Sequence, residues 1–247
     1  EKYQLADSAM HALLDDQSIT DWIDRTKAGG QLLPGPMGEQ QLKREVSLAE
    51  QIAFTALNIA GKEKTVAQFL IDLDGHRLTA EIPLLGGVHI AARTGALGAK
   101  QRLTAWIRHL ALCANGYEQS TVMVYRDKHR EAGREDIPPV SAEQAQLLLA
   151  DLIEDFYVGI SKPLLFLPNA AFEFATTDSI ATVKKKFLDD SPGSEFHDRY
   201  YSRAFDLPSD LDGQFREIAN RVWQPLIQHM AQHSIQHSIH NPSEQEQ

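Results

Sequence analysis

The stretch that decides the fold is residues 65–93, which read TVAQFLIDLDGHRLTAEIPLLGGVHIAAR. It contains three short runs with β-branched residues, and the pairs Asp74-Gly75 and Gly86-Gly87 separate them. Turn residues between apolar runs of this length are typical of tight connections between strands. The stretch therefore predicts a three-stranded meander, with strands at residues 65–73, 77–85 and 88–93.

Helices are predicted on both sides of this meander. Before it, apolar residues recur at helical spacing over residues 39–60. After it, residues 99–114 carry one apolar stripe, and the run TVMVY at residues 121–125 predicts a fourth strand. Ser141 with Gln144 three residues later forms a capping box that begins another long helix. The central order is thus helix, three strands, helix, strand and helix, which is an α/β fold class.

The predicted organisation is one domain over residues 1–230, followed by a polar tail. Residues 1–38 form lead-in helices and an apolar loop, residues 39–160 form the α/β core, and residues 161–230 are helical. The tail, residues 231–247, is rich in Gln, His and Ser and is expected to be disordered. Since the chain begins with Glu rather than Met, we expect it to be a piece of a longer protein.

Composition limits the possible partners. The 247 residues include 24 Lys and Arg against 34 Asp and Glu, which gives a net charge of -10. A broad phosphate-neutralising surface needs clustered cations, so any contact with nucleic acid must be local.

No apolar run approaches the roughly 18 residues of a membrane span. Cys113 is the single cysteine, so the chain cannot form an internal disulfide, and we expect its side chain to be buried. A protein without disulfides fits a reducing compartment, so we expect it in the cytoplasm and without membrane contact.

The order of elements resembles the αβββαβ core of the restriction-endonuclease-like nucleases. That chemistry needs a carboxylate on the second strand and an acid-x-Lys motif on the third, where they hold Mg²⁺ and position the attacking water. The corresponding positions here carry Pro83, Ala92 and Thr94. No Asp or Glu in the chain is followed two positions later by Lys. We therefore predict a degenerate site with no catalytic residue, no metal and no cofactor.

An active nuclease with displaced carboxylates is the alternative. Asp72, Asp74 and Glu81 lie close together in sequence and would be its candidate metal ligands. Strand alternation places them partly on different faces, which favours acids that face solvent or belong to turns. His229, His233 and His237 are four residues apart and would line one helical face, a spacing that can bind a divalent transition metal, but a physiological metal site is not favoured.

Three cations are candidates for contact with a DNA backbone. Arg93, Lys100 and Arg102 lie where the third strand leads into the N-terminus of the next helix, a place that favours phosphate. Ordinary surface charge is the alternative. The polar loop over residues 126–135 mixes cations with acids, so its net field is expected to be small.

The apolar loop, residues 32–37, reads LLPGPM. Two prolines and a glycine prevent it from continuing a helix. A connector docked on the core is favoured by its composition. The functional alternative is a wedge in which Leu33 and Met37 replace the stacking lost at the last base pair of a fork.

Seven short runs, in order along nearly the whole chain, carry a closer resemblance: EKYQL (1–5), LPGPMGE (33–39), LTAWIRHLALCANG (103–116), PPVSAEQA (138–145), KPLLFLP (162–168), VKKKFL (183–188) and QPLIQ (224–228). Together they resemble the family of RecC C-terminal domains. RecC is the gamma subunit of exodeoxyribonuclease V, the RecBCD helicase-nuclease.

The resemblance implies a nuclease-like scaffold that has lost its active site and works in DNA repair and recombination. Its implied partners are RecB-like and RecD-like subunits, double-stranded DNA ends and the separated single strands. It implies that the domain belongs to an ATP-dependent exonuclease complex. Within that complex it helps to separate the two DNA strands and catalyses nothing itself. A module that contacts only proteins is the remaining alternative.

Overall fold

The structure is a computed structural model that describes residues 4–30, 32–73, 75–187, 195, 198–207, 209–211 and 213–240. In chain order its elements are α1 Gln4–Leu14, α2 Ile19–Ala28, α3 Pro36–Ala60, β1 Lys64–Leu73, β2 His76–Leu85, β3 Ile90–Ala92, α4 Ala99–Ala114, β4 Thr121–Arg126, β5 Ala132–Ile137, α5 Ala142–Ser161, α6 Pro168–Thr177, α7 Ile180–Phe187, α8 Tyr201–Ala204 and α9 Gln214–His240. The α/β class is confirmed. The predicted order of helix, three strands, helix and strand is confirmed as α3 to β4.

The strand pairing differs from the predicted meander. Within the described ranges, β1 pairs with β2, while β3, β4 and β5 form a separate sheet in that order. β3 runs parallel to β4, with Ile90 opposite Val122. β4 runs antiparallel to β5, with Thr121 opposite Ile137. The prediction that β3 continues a meander with β2 was therefore wrong.

The turn at Gly86 explains why the chain leaves β2. The N–H of Gly86 donates to the carbonyl oxygen of Glu63 at 2.6 Å. A Cβ atom at Gly86, whose φ is 53°, would lie 1.6 Å from the carbonyl oxygen of Ala60. The turn thus packs its backbone against the end of α3, where no side chain fits. Only one isolated bridge, Leu85 with Val88, spans the turn before β3 joins β4.

β5 lies in the segment that we expected to be a polar loop. Its polar side chains are bonded within the sheet: the hydroxyl of Tyr125 on β4 donates to Glu135 at 2.8 Å, and Arg134 Nε donates to Asp136 on the same strand at 2.7 Å. The strand therefore lacks the apolar alternation that predicts a strand. Charged side chains on an edge strand of this kind also discourage pairing with other chains.

Residue contacts divide the chain into two compact units. The first unit comprises Glu1–Leu70, Thr79–Leu97 and Tyr117–Pro139. Its core brings α1, α2 and α3 against β4, with Met10 and Ile52 fully buried. Trp22 joins this core and donates its indole N–H to Ser8 at 3.1 Å. Truncating a buried residue such as Ile52 to Ala costs about 2–5 kcal/mol.

The second unit comprises Ile71–Leu78, Gly98–Gly116 and Val140–Gln247. In its helical core, Trp106, Leu149, Phe174 and Trp223 are each at most 1% exposed. The edge of the Phe172 ring meets Trp223, with centroids 4.9 Å apart. These contacts place α4, α5, α6 and α9 in one packed group, as the apolar stripes of their sequences indicate.

The backbone of residues 231–240 is helical. α9 continues to His240, because no Gly or Pro occurs between Pro225 and Pro242 to end it. Residues 231–240 of the expected tail therefore belong to a helix, and residues 241–247 lie outside the described residues. The single domain over residues 1–230 stays a prediction. No helix in the described ranges is long and apolar enough to cross a membrane.

Candidate nucleic-acid interface

The three positions predicted to be degenerate have apolar or internally bonded side chains, and the strands that carry two of them, β2 and β3, belong to different sheets. Pro83 is exposed on β2, and Ala92 at the end of β3 packs partly buried against the first unit's core. Thr94, in the loop after β3, is fully buried. Its N–H and its hydroxyl both donate to Asp7 Oδ1, at 2.8 and 2.7 Å.

The link between Asp7 and Thr94 gives this position a structural role. Asp7 lies in the first turn of α1, so its carboxylate ties that helix to the loop after β3. Bonds from neutral donors to an ionised carboxylate are short and strong. Sequence reasoning missed Asp7; the only local sign was an acid in the first turn of a helix, which is a common position for one.

The displaced carboxylates have partners of their own. Gln68 donates its side-chain amide to Glu81 at 3.2 Å, and Arg77 forms an ion pair with Asp72 at 3.3 Å. Asp74 lies outside the described residues. Across the described part of the chain, no three His, Cys, Asp or Glu side chains converge on a possible metal position. Asp72 and Glu81 are both exposed, and each contacts a neighbouring polar side chain.

The apolar loop splits its side chains between core and solvent. Leu32 packs against the core of the first unit, whereas Leu33 and Met37 are 55% and 70% exposed. The interpretation as a core-docked connector therefore holds for Leu32 and is wrong for the other two. α3 begins at Pro36, inside the segment predicted as a loop, because proline suits the first helical position.

A close backbone contact fixes the loop. The N–H of Gly38 donates to the carbonyl oxygen of Gly35 at 3.1 Å. A Cβ atom at Gly38 would lie only 1.8 Å from the carbonyl oxygen of Leu33. Gly38 thus allows the loop to rest directly on the first turn of α3. The two exposed apolar side chains are presented from a constrained backbone.

The three candidate cations are divided between the units. Arg93 belongs to the first unit, and its backbone N–H donates to Val124 at 2.9 Å. The Nε atom of Arg93 is buried without a hydrogen-bond partner in the described structure, and a Cβ atom at Gly95 would lie 2.7 Å from its Nη2. Lys100 and Arg102 belong to the second unit, on α4. Arg93 thus belongs to the first unit, directly after β3, whereas the other two cations belong to the second unit.

An internal acceptor occupies the start of α4. The side-chain oxygen of Asn169 accepts from the N–H of Ala99 at 3.3 Å. Glu195 in turn accepts from the backbone and side chain of Asn169, at 2.9 and 3.0 Å. Lys100 is exposed beside this cap, while the guanidinium of Arg102 lies 5.4 Å from the centre of the Phe172 ring. A phosphate at this helix start would compete with Asn169.

Two other groups have packing partners. The His229 ring lies 5.9 Å from Trp106 and 4.9 Å from His233, while the side chain of His237 lies outside the described residues.

Cys113 is buried as expected, and burial raises the pKa of its thiol. His109 Nε2 lies 3.5 Å from the Cys113 sulfur and is itself buried. This thiol is a poor nucleophile because it stays protonated.

Comparison with known proteins identifies the family. A family model described as "RecC C-terminal domain" matches residues 1–179. A curated relative, "RecBCD enzyme subunit RecC" of Escherichia coli strain K12, is 26% identical over 230 residues, which is 91% of this chain. The match covers 20% of that relative, so the chain spans about a fifth of its length. The chain belongs to the RecC C-terminal domain family.

Proposed function

We propose that this chain is a non-catalytic, nuclease-like scaffold of a RecBCD-type exodeoxyribonuclease V complex in the cytoplasm. It acts with RecB-like and RecD-like subunits on double-stranded DNA ends during repair by homologous recombination. The observation that carries this proposal is the family match over residues 1–179. The restriction-endonuclease-like origin of the core is part of the same proposal.

The absence of catalysis is supported by the chemistry of the degenerate positions. Pro83 and Ala92 have no polar side-chain atom that binds a metal. Thr94 is neutral, buried and bonded to Asp7, so it offers no charge to position a water molecule. The scaffold therefore acts through its surfaces and leaves hydrolysis to a partner subunit.

The exposed pair Leu33 and Met37 is the proposed wedge. Apolar side chains that meet a base pair from the end replace part of its lost stacking and so favour the open fork. Gly38 and the two prolines constrain the loop backbone, which reduces the entropy lost when the side chains engage DNA. Arg93, Lys100 and Arg102 contact the DNA backbone beside the separated strands.

The test of this proposal uses the full-length subunit assembled with its partner subunits. Replacing both Leu33 and Met37 by Ala should slow the unwinding of a duplex without lowering ATP turnover on single-stranded DNA. Phe54→Ala is the matched control, because Phe54 is 66% exposed on the same helix that begins at the loop. Unwinding by the double variant at the rate of the control would contradict the wedge.

A role confined to protein contact is the second candidate, and exposed apolar residues near the end of α5 favour it. Phe156 is 63% exposed and Ile160 is 66% exposed, and they lie one helical turn apart. Exposed apolar groups of this kind are typical of surfaces that bind another protein. Photo-crosslinking a forked DNA to the assembled complex separates the candidates, because adducts confined to other domains would support protein contact alone.

A further inference from the structure

We propose that a pocket between α3 and the turn joining β4 to β5 binds a DNA backbone phosphate. This arginine pocket lies within the first unit and has a volume of about 300 Å³. It is lined by Arg44, Glu45, Ser47, Leu48, Gln51, Arg126 and Arg130. The proposal rests on the proposed function in DNA-end processing and adds a phosphate-binding position that the apolar loop and the three candidate cations do not supply.

The helix supplies one wall of the pocket. Ser47 and Leu48 lie three and four residues after Arg44, and Gln51 lies three residues after Leu48, so these side chains share one face of α3. Leu48 packs partly buried against the core, while the polar members of this face are exposed. The face therefore offers guanidinium, hydroxyl and amide donors above an apolar base.

The β4–β5 turn supplies the other wall. Asp127 Oδ1 accepts from the N–H groups of His129 and Glu131, at 2.8 and 2.9 Å. Asp127 is thus engaged in closing the turn, and it does not line the pocket. Arg130 adopts the left-handed conformation, with φ 67°, at the end of this turn. The turn thus contributes Arg126 and Arg130 to the lining of the pocket.

The composition of the lining favours a phosphate backbone as the ligand. Arg44, Arg126 and Arg130 carry positive charge, and Glu45 is the acid in the lining. Guanidinium groups form paired hydrogen bonds with phosphate oxygens, and Ser47 and Gln51 add neutral donors. No aromatic residue lines the pocket, so it has no platform on which to stack a base. The pocket therefore binds the backbone, independently of base sequence.

The test measures binding of a fluorescent single-stranded oligonucleotide of mixed sequence to the full-length protein over a range of salt concentrations. The test variant carries Arg44→Gln and Arg130→Gln, which remove two charges from the pocket. The control variant carries Lys43→Gln and Lys128→Gln. It removes two exposed charges from the same helix and the same turn, outside the pocket lining.

Each phosphate that the protein no longer neutralises on a single strand lowers the salt slope by about 0.7. The test variant loses one phosphate contact, so we expect it to bind about 5-fold more weakly near 0.1 M salt and the control to bind like the wild type. Equally weakened binding in both variants would overturn the proposal in favour of a diffuse field, and unchanged binding in both would overturn it as well.

Two further outcomes separate this proposal from others. If the test variant no longer binds a polyglutamate peptide and keeps its affinity for DNA, the pocket recognises acidic protein and the phosphate assignment fails. If the wild type binds no DNA at all, the proposed function fails together with the pocket. If the wild type binds DNA and the test variant equals it, only the pocket is refuted.

Discussion

Asp7 Oδ1 accepts both the backbone N–H and the hydroxyl of Thr94, 87 residues further along the chain. Thr94 is fully buried, so both of its donors depend on this one carboxylate oxygen. Thr94, which the sequence predicts at the position of a nuclease lysine, thereby links α1 to the end of β3.

This link predicts a large effect for Asp7→Ala. The variant leaves two buried donors without an acceptor, so the free energy of unfolding should fall by about 2–3 kcal/mol. Urea denaturation measures this, and hydrogen exchange should show faster opening at the Thr94 amide. Asp24→Ala, an exposed acid on α2, is the matched control and should change stability little.

A double-mutant cycle tests whether the two residues act together. Thr94→Val should cost less in the Asp7→Ala background than in the wild type, with a coupling energy of about 1 kcal/mol or more. Strictly additive losses would show that the bonds seen in the structure contribute nothing to stability.

Gly38→Ala should disturb the apolar loop. The added methyl group would lie 1.8 Å from the carbonyl oxygen of Leu33, so the loop or the start of α3 must move. We expect a loss of about 1–3 kcal/mol in stability and slower unwinding by the assembled complex. Glu39→Ala, one position later, adds no such clash and should unwind normally. Wild-type unwinding by Gly38→Ala would mean that the loop geometry is not needed.

The positions of the helices and strands were more predictable from the sequence than the pairing of the strands. The helical stripe of residues 39–60 and the strand at residues 121–125 depend on local periodicity, and both occur in the structure. The pairing of β3 with β4 depends on Gly86 packing against Ala60, which local periodicity does not contain. β5 was missed because its polar side chains pair among themselves along the sheet.

The same limit applies to the candidate site. The apolar composition of the loop was evident, but Leu32 and Leu33 are identical neighbours that differ in burial because of how the loop docks on α3. The bond between Asp7 and Thr94 and the lining of the arginine pocket both bring together residues that are far apart in sequence. Such constellations become visible only when the elements that carry them are placed together.

Asp155→Ala should destabilise the second unit. Arg221 donates two hydrogen bonds to Asp155, including one from Nε at 3.0 Å, and this carboxylate raises the pKa of the guanidinium. Asp155 is 8% exposed, but the Arg221 side chain is 43% exposed, so solvent screens the pair. We therefore expect a loss of about 1–3 kcal/mol in urea denaturation. Asp151→Ala, one turn earlier on α5, is the exposed control; an equal loss there would remove the pair as the cause.

Cys113 predicts a dependence of stability on alkaline pH. Burial raises the pKa of its thiol above the ordinary value of 9.0, so the folded state holds the proton more tightly than the unfolded state. The stability from this difference is present below the unfolded pKa and is lost as pH rises through the folded one. Between about pH 8 and pH 10, unfolding free energy should therefore fall more steeply for the wild type than for Cys113→Ala. Parallel curves for the two proteins would contradict this prediction.

The central claim is that this fold acts on DNA without cutting it. The most direct measurement is cleavage of linear DNA by the full-length subunit in the presence of Mg²⁺ or Mn²⁺ and in the absence of its partners. We expect no cleavage by the wild type and no difference in Glu81→Ala. Cleavage by the wild type that disappears in Glu81→Ala or Asp72→Ala would contradict the account.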